Sequence, residues 1–232
     1  MPQQHSALTC RMPATTRRRA SLWLAGGIAA SMVPGIRTAM AAPQDTTFDV
    51  YRKGSRIGVH EMRFTPSGDG LSVSSNVELA VKMAFVTVYR YAQAGTDEWQ
   101  GGMLVGTRIE TDDDGKKTLV VAQARGGKLA VEGPTKAYET DLGSMTDLSF
   151  WNDAITGAPP LIDSQTGELI RMAVQTDTTE VVQVLGQPVE ARRYEMAATK
   201  GRSGTVWYDS TARLVKAVVV TRGETLNYEL AA

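Results

Sequence analysis

The chain has 232 residues, with 25 Lys and Arg balancing 25 Asp and Glu, two histidines and a single cysteine. Its first 41 residues hold five of the bases and no acid, leaving 20 basic against 25 acidic side chains beyond them. That acidic remainder has no basic block to meet nucleic acid, and one thiol, Cys10, supplies neither a disulfide nor a thiolate metal site.

A polar stretch with Arg11, Arg17, Arg18 and Arg19 opens the chain, and the apolar run Ala20 to Val33 follows. Fourteen residues fall short of the roughly 20 that cross a bilayer, but they suit the core of an export signal. Ala39-Met40-Ala41 offers small side chains to a signal peptidase, which predicts cleavage after Ala41 and a mature start at Ala42. The stretch TTRRRASLW resembles a twin-arginine signal, and Gly26, Gly27 and Arg37 dilute the apolar run as that route favours. Ala20 and Ser21 stand where such a signal usually carries bulky apolar residues, so general secretion stays open as the alternative. Cys10 precedes the run and leaves with it. The expectation is a soluble periplasmic protein with no anchor after cleavage, residues 42–232 forming one domain.

From Thr46 the side-chain period is two. Odd positions from Leu71 to Tyr91 are uncharged throughout, whereas even positions carry Glu78, Lys82 and Arg90. That pattern predicts a half-buried strand, or two strands in register. One straight strand would measure about 70 Å, so a bend or bulge is expected between Lys82 and Phe85. Turns are expected at Lys53-Gly54-Ser55, Ser67-Gly68-Asp69-Gly70, Asp113-Asp114-Gly115, Gly126-Gly127, Asp209-Ser210-Thr211 and Arg222-Gly223. The spacing predicts roughly ten strands in an antiparallel up-and-down meander. Thr146 to Ile155 interrupts the alternation and reads as one short helix capped by Asp147 or Ser149 and ended by Gly157 and Pro159-Pro160. A meander with no helical layer must curl to cover its apolar face. The predicted fold is all-β, a half-barrel or a barrel-like twisted sheet.

Catalytic templates are missing. The sequence has no Gly-x-Ser-x-Gly, Ser-x-x-Lys or His-Glu-x-x-His, and past residue 41 it has no cysteine and only His60. His60 shares a strand face with Gly58, Met62 and Phe64, the place of a hydrogen-bonded packing residue, and Glu61 points the other way. Asp112 to Asp114 read as a solvated hairpin tip, because a calcium loop aligned on Gly115 would end on Val121 where a bidentate Glu is needed. No metal and no cofactor is implied. The remaining candidates are Met83, Phe85, Tyr89, Tyr91, Trp99 and Trp151, which either line a concave site for an apolar ligand or simply fill the interior.

The runs YRKGSRIGVHEMRF, VYRYAQAGTDEW, GGMLVGTRIETDDDG, LIDSQTGELI and VWYDSTARLVKAVV together resemble an uncharacterised family of exported proteobacterial proteins, a domain of unknown function, from Phe48 to Leu230. More distantly, YRKGSRIG and VWYDSTARLVK are similar to segments of periplasmic carriers that localise lipoproteins. That likeness implies an open half-barrel holding acyl chains, with the segment around Phe150 and Trp151 as its lid. The expected function is non-enzymatic binding of a lipid or other apolar or amphipathic envelope ligand. Alternatives are an envelope scaffold acting through protein contacts and a hydrolase built on His60.

Overall fold

The computed structural model describes residues 43–231, so the expected export signal lies outside the described residues. The chain forms strands β1 (Thr46–Arg52), β2 (Ser55–Ser67), β3 (Gly70–Met83), β4 (Val86–Gln100), β5 (Met103–Asp113), β6 (Lys116–Arg125), β7 (Lys128–Glu132) and β8 (Ala137–Asp141) in one run of hairpins. A second run holds β12 (Met172–Val184), β13 (Gln187–Ala198), β14 (Arg202–Asp209), β15 (Leu214–Thr221) and β16 (Glu224–Leu230). These thirteen strands make one antiparallel sheet in which β16 lies beside β1, Phe48 opposite Leu230, and β8 and β12 stand at the two edges. The sheet is a large meander that does not close, as the half-barrel expectation requires.

Between the two runs lies an insert, residues 142–171. It holds β9 (Met145–Thr146), the 3-10 turns η1 (Ser149–Trp151) and η2 (Asp153–Gly157), β10 (Leu161–Ile162) and β11 (Leu169–Ile170). The last three short strands form a separate small sheet. The expected short helix is therefore two 3-10 turns. Neither Asp147 nor Ser149 caps the first, whose N-cap is Leu148; Asn152 caps the second by accepting from the Ala154 N–H at 3.1 Å. Ala158 in the left-handed region (φ 55°) ends it, ahead of the two prolines.

The strand count exceeds the expected ten because several turns carry weak signals. Leu71 to Tyr91 is a hairpin whose turn, Ala84-Phe85, contains no glycine, proline or asparagine; Ala84 adopts φ 53°. A two-residue turn sets Met83 opposite Val86, which would put odd residues of β3 on the same face as even residues of β4. A bulge corrects this. Lys82 pairs with Thr87 but Val81 pairs with Tyr89, so one extra residue, Val88, restores parity and Leu79 faces Tyr91. The odd positions of both strands thereby share the concave side.

The core sits between that concave side and the insert. Phe48, Val50, Met62, Val73, Leu104, Val120 and Leu129 from the sheet pack in one cluster with Met145, Phe150, Ile155, Leu161 and Ile170 from the insert. Backbones touch closely where glycines allow it. A Cβ on Gly133 would meet the Thr166 carbonyl oxygen at 2.6 Å, and one on Gly58 would lie 1.8 Å from the Glu78 carbonyl oxygen in the neighbouring strand. Gly58→Ala should therefore cost about 2 kcal/mol or more, because the obstacle is backbone and not a side chain that can swing away. Gly143→Ala, where a Cβ meets nothing within 4 Å, should stay within about 0.5 kcal/mol of wild type. Urea unfolding midpoints of the two variants check both.

Candidate functional site: a cavity between the sheet and its insert

Hairpin alternation puts the turns Lys53-Gly54, Ala84-Phe85, Asp114-Gly115 and Arg222-Gly223 at one end of the sheet. The insert does not fill the concave side up to that end. A cavity of about 630 Å³ remains there, within the range of small-molecule sites. Its walls are largely apolar: Val77, Leu79, Val81 and Met83 from β3, Met196, Val206, Val218, Val219 and Leu226 from the second run, and Phe150, Ile155 and Ile170 from the insert.

A polar belt crosses this lining. Arg222 donates to Asp113 Oδ2 at 2.6 Å and to Gln165 Oε1 at 2.8 Å, Gln165 Nε2 donates to the Tyr91 hydroxyl at 3.0 Å, and Tyr89 donates to Asp113 Oδ1 at 2.6 Å. Arg202 forks between Asp147 (3.1 Å) and Asp163 (2.7 Å). Asp163 also accepts the Gln165 and Thr166 N–H groups, which fixes the turn that presents Gln165. Burial pushes the Asp147 carboxyl up, with the Asp163 charge adding to it and Arg202 opposing, and burial raises the Tyr91 hydroxyl far above its usual range. Tyr89 rises to about 12 through burial and the Asp113 carboxylate. Both arginines already face carboxylates. The belt therefore offers hydrogen bonds without a free cation.

Below the cavity the insert is held down by Asp97, which is 5 % exposed. It accepts from Thr107 Oγ1 at 2.5 Å and from Thr146 Oγ1 at 2.9 Å, and burial raises its pKa to about 6 against the lowering effect of those bonds. Gln93 ties the same layer together by donating to Thr111 and Ser164. His60, 1 % exposed, sits 2.6 Å from Ser75 Oγ through Nε2 and packs edge-on against Phe150 and Tyr228; burial lowers its pKa to about 4. Its Nδ1 has no hydrogen-bond partner, so no carboxylate orients the ring as a triad would. Glu61 faces away, 3.7 Å from Arg63.

Of the residues singled out in the sequence, Met83, Tyr89 and Tyr91 line the cavity. Trp99 and Trp151 stand apart from it, stacked edge to face at 5.5 Å, with Phe64 against Trp151. Phe85 is fully exposed at the tip of the β3–β4 hairpin. Asp112 to Asp114 do form a hairpin tip, but Asp113 is bound into the belt. Sequence reasoning missed Gln93, Asp97, Asp147, Asp163, Gln165, Arg202 and Arg222. One signal was available: the uncharged odd face of Leu71 to Tyr91 continues into Gln93 and Asp97, polar groups on a covered side.

Fold and site together define an all-β protein of barrel-like architecture with an internal, mostly apolar cavity crossed by a hydrogen-bonding belt. The chain belongs to the family described as Domain of unknown function (DUF6134), whose model matches residues 48–231. It is similar in structure to the crystal structure of a beta-barrel-like protein of Domain of Unknown Function DUF1849 from Brucella abortus, with a TM-score of 0.59 and 11% identity over 82% of this chain and 96% of that one. That likeness is one of fold. No curated protein matches the sequence.

The buried titratable groups oppose one another with pH. His60 takes its proton at about 4 when folded and near 6.5 when unfolded, so stability is gained as pH rises through that window, by roughly 3 kcal/mol. Asp97 keeps its proton to about 6 when folded and to 3.8 when unfolded, so stability is lost as pH rises between those values. Relative to wild type, the deficit of His60→Gln should shrink on acidification from pH 6.5 to 4, and that of Asp97→Asn should grow. Urea midpoints measured across the window test both signs.

Proposed function

We propose that this is an exported, periplasmic, non-enzymatic binding protein that holds an apolar or amphipathic ligand in the cavity between the sheet and its insert. The observation that carries the reading is the cavity itself, about 630 Å³ bounded by aliphatic walls and left open by an insert that covers only part of the concave side. Water in such a space gains few hydrogen bonds, and an acyl or other hydrocarbon body displaces it favourably, at about 25 cal/mol per Å² of apolar surface covered.

The belt selects the polar end. Its arginines are neutralised by Asp113, Asp147 and Asp163, so the headgroup it suits is one that exchanges hydrogen bonds with Gln165, Tyr91 and Tyr89. Export is supported by the basic, apolar and small-residue order of residues 11–41. The absence of any carboxylate on His60 Nδ1 and the outward position of Glu61 favour binding over hydrolysis at His60.

The test is binding of cis-parinaric acid, a fluorescent fatty acid, to the purified chain. Saturable fluorescence enhancement is expected, and Val219→Trp, which fills the cavity, should weaken it about tenfold or more while leaving the far-UV circular dichroism unchanged. Equal binding by wild type and Val219→Trp would refute the cavity as the site. Leu119→Trp, at an exposed position on β6, should bind as wild type does.

A further inference from the structure

The β3–β4 hairpin ends in the least covered apolar surface of the described residues. Phe85 is 102 % exposed, Met83 68 % and Val86 65 %, and Val88 stands beside them. The hairpin closes on the positive-φ Ala84 and one bulge, and the side chains at its tip stand outward in solvent. Met83 and Val88 also line the cavity, which makes the tip continuous with the wall of the site.

The charges around the tip decide what it meets. Lys82 is on the hairpin itself, and the turns on either side in the sheet, at the same end, carry Lys53 and the pair Lys116-Lys117. Asp113 is paired with Arg222, and Glu224 with Arg52 and Lys53. Lys82, Arg90, Lys116 and Lys117 are exposed and engage in no ion pair among the described residues, against the acids Asp112 and Asp114. This end is thus apolar at its centre and basic at its margin, on a chain whose residues past 41 are acidic overall. A patch of four side chains is far below the roughly 800 Å² that each partner buries in a stable protein interface. It matches instead the few inserted apolar groups and flanking bases of an interfacial lipid anchor.

We infer that the Met83–Val88 hairpin tip docks on an anionic bilayer surface, Phe85 and Val86 entering the interface while Lys82, Lys116 and Lys117 meet acidic headgroups. Docked this way, the cavity wall at Met83 and Val88 adjoins the lipid, so an amphiphile passes between bilayer and cavity without crossing bulk water. The docking itself rests on the tip and its charges, not on the identity of any ligand.

The experiment uses the chain from Ala42, the expected mature form, which has no cysteine of its own, with one new cysteine carrying the polarity-sensitive fluorophore NBD, at Val86→Cys or, at the opposite end, at Ser210→Cys. Vesicles of phosphatidylglycerol and phosphatidylcholine should shift the emission of the label at position 86 to the blue and raise it about twofold or more, leaving the label at 210 unchanged. Phosphatidylcholine alone, or high salt, should weaken the response, and Phe85→Asp should reduce vesicle binding about tenfold. An unresponsive label at position 86 would overturn the inference. So would equal responses at 86 and 210, which would trace lipid binding to another segment. A blue shift without vesicles that grows with protein concentration would also overturn it, by making a second copy the occupant. Val219→Trp separates this from the cavity reading: a chain that has lost cis-parinaric acid should still dock.

Discussion

Everything in this structure depends on covering one side of a sheet too long to be left half wet. Thirteen antiparallel strands present an inner face of aliphatic and aromatic side chains, and among the described residues no helical layer lies against it. The chain supplies its own cover from residues 142–171, pinned by carboxylates, of which Asp97 and Asp163 are buried and Asp147 half-buried. Asp97 holds Thr146, and Asp147 and Asp163 share Arg202 from β14. A carboxylate buried this deeply is costly unless its bonds are satisfied, so these contacts specify where the insert sits more than they add to stability. The cavity is what the insert leaves uncovered.

The same division explains the character of the site. Where insert and sheet meet, polar groups pair with polar groups across the boundary: Gln93 with Ser164, Tyr91 with Gln165, Arg222 with both Gln165 and Asp113. Beyond that boundary only the sheet remains, and its inner face carries aliphatic side chains alongside the Arg52–Glu224 pair. Arg222 and Asp113 stand beside the turns at the open end, so a ligand entering there meets hydrogen-bonding groups and apolar walls together. The site is amphipathic because it lies at the margin of a plug.

The architecture was legible in the sequence because alternation is a local property. Each segment declares its two faces, and six of the turns declare themselves through glycine and aspartate. The strand count was less legible: Ala84-Phe85 turns the chain without any residue that favours a turn, and only the bulge at Val88 keeps the odd face continuous across it. Three of the six residues expected at a ligand site, Met83, Tyr89 and Tyr91, line the cavity, as their strand face alone dictates. Trp99 has the inward face too, but lies at the end of β4 where the insert already fills the space, and it packs on Trp151. The belt was not legible. Asp113 meets Arg222 across 109 residues and Asp147 meets Arg202 across 55, pairings that no local pattern encodes.

The adjacency of β1 and β16 gives the fold a seam. Every other ladder of the main sheet joins strands that are neighbours in sequence, whereas β1 pairs with β16, Phe48 opposite Leu230, and the Ala231 N–H reaches the Thr47 carbonyl at 2.8 Å. Local hairpins form quickly, but this last ladder must close a loop of nearly the whole described chain and bears its entropy. That pairing therefore carries the largest loop-closure entropy in the sheet, and it alone joins the two runs of hairpins into one.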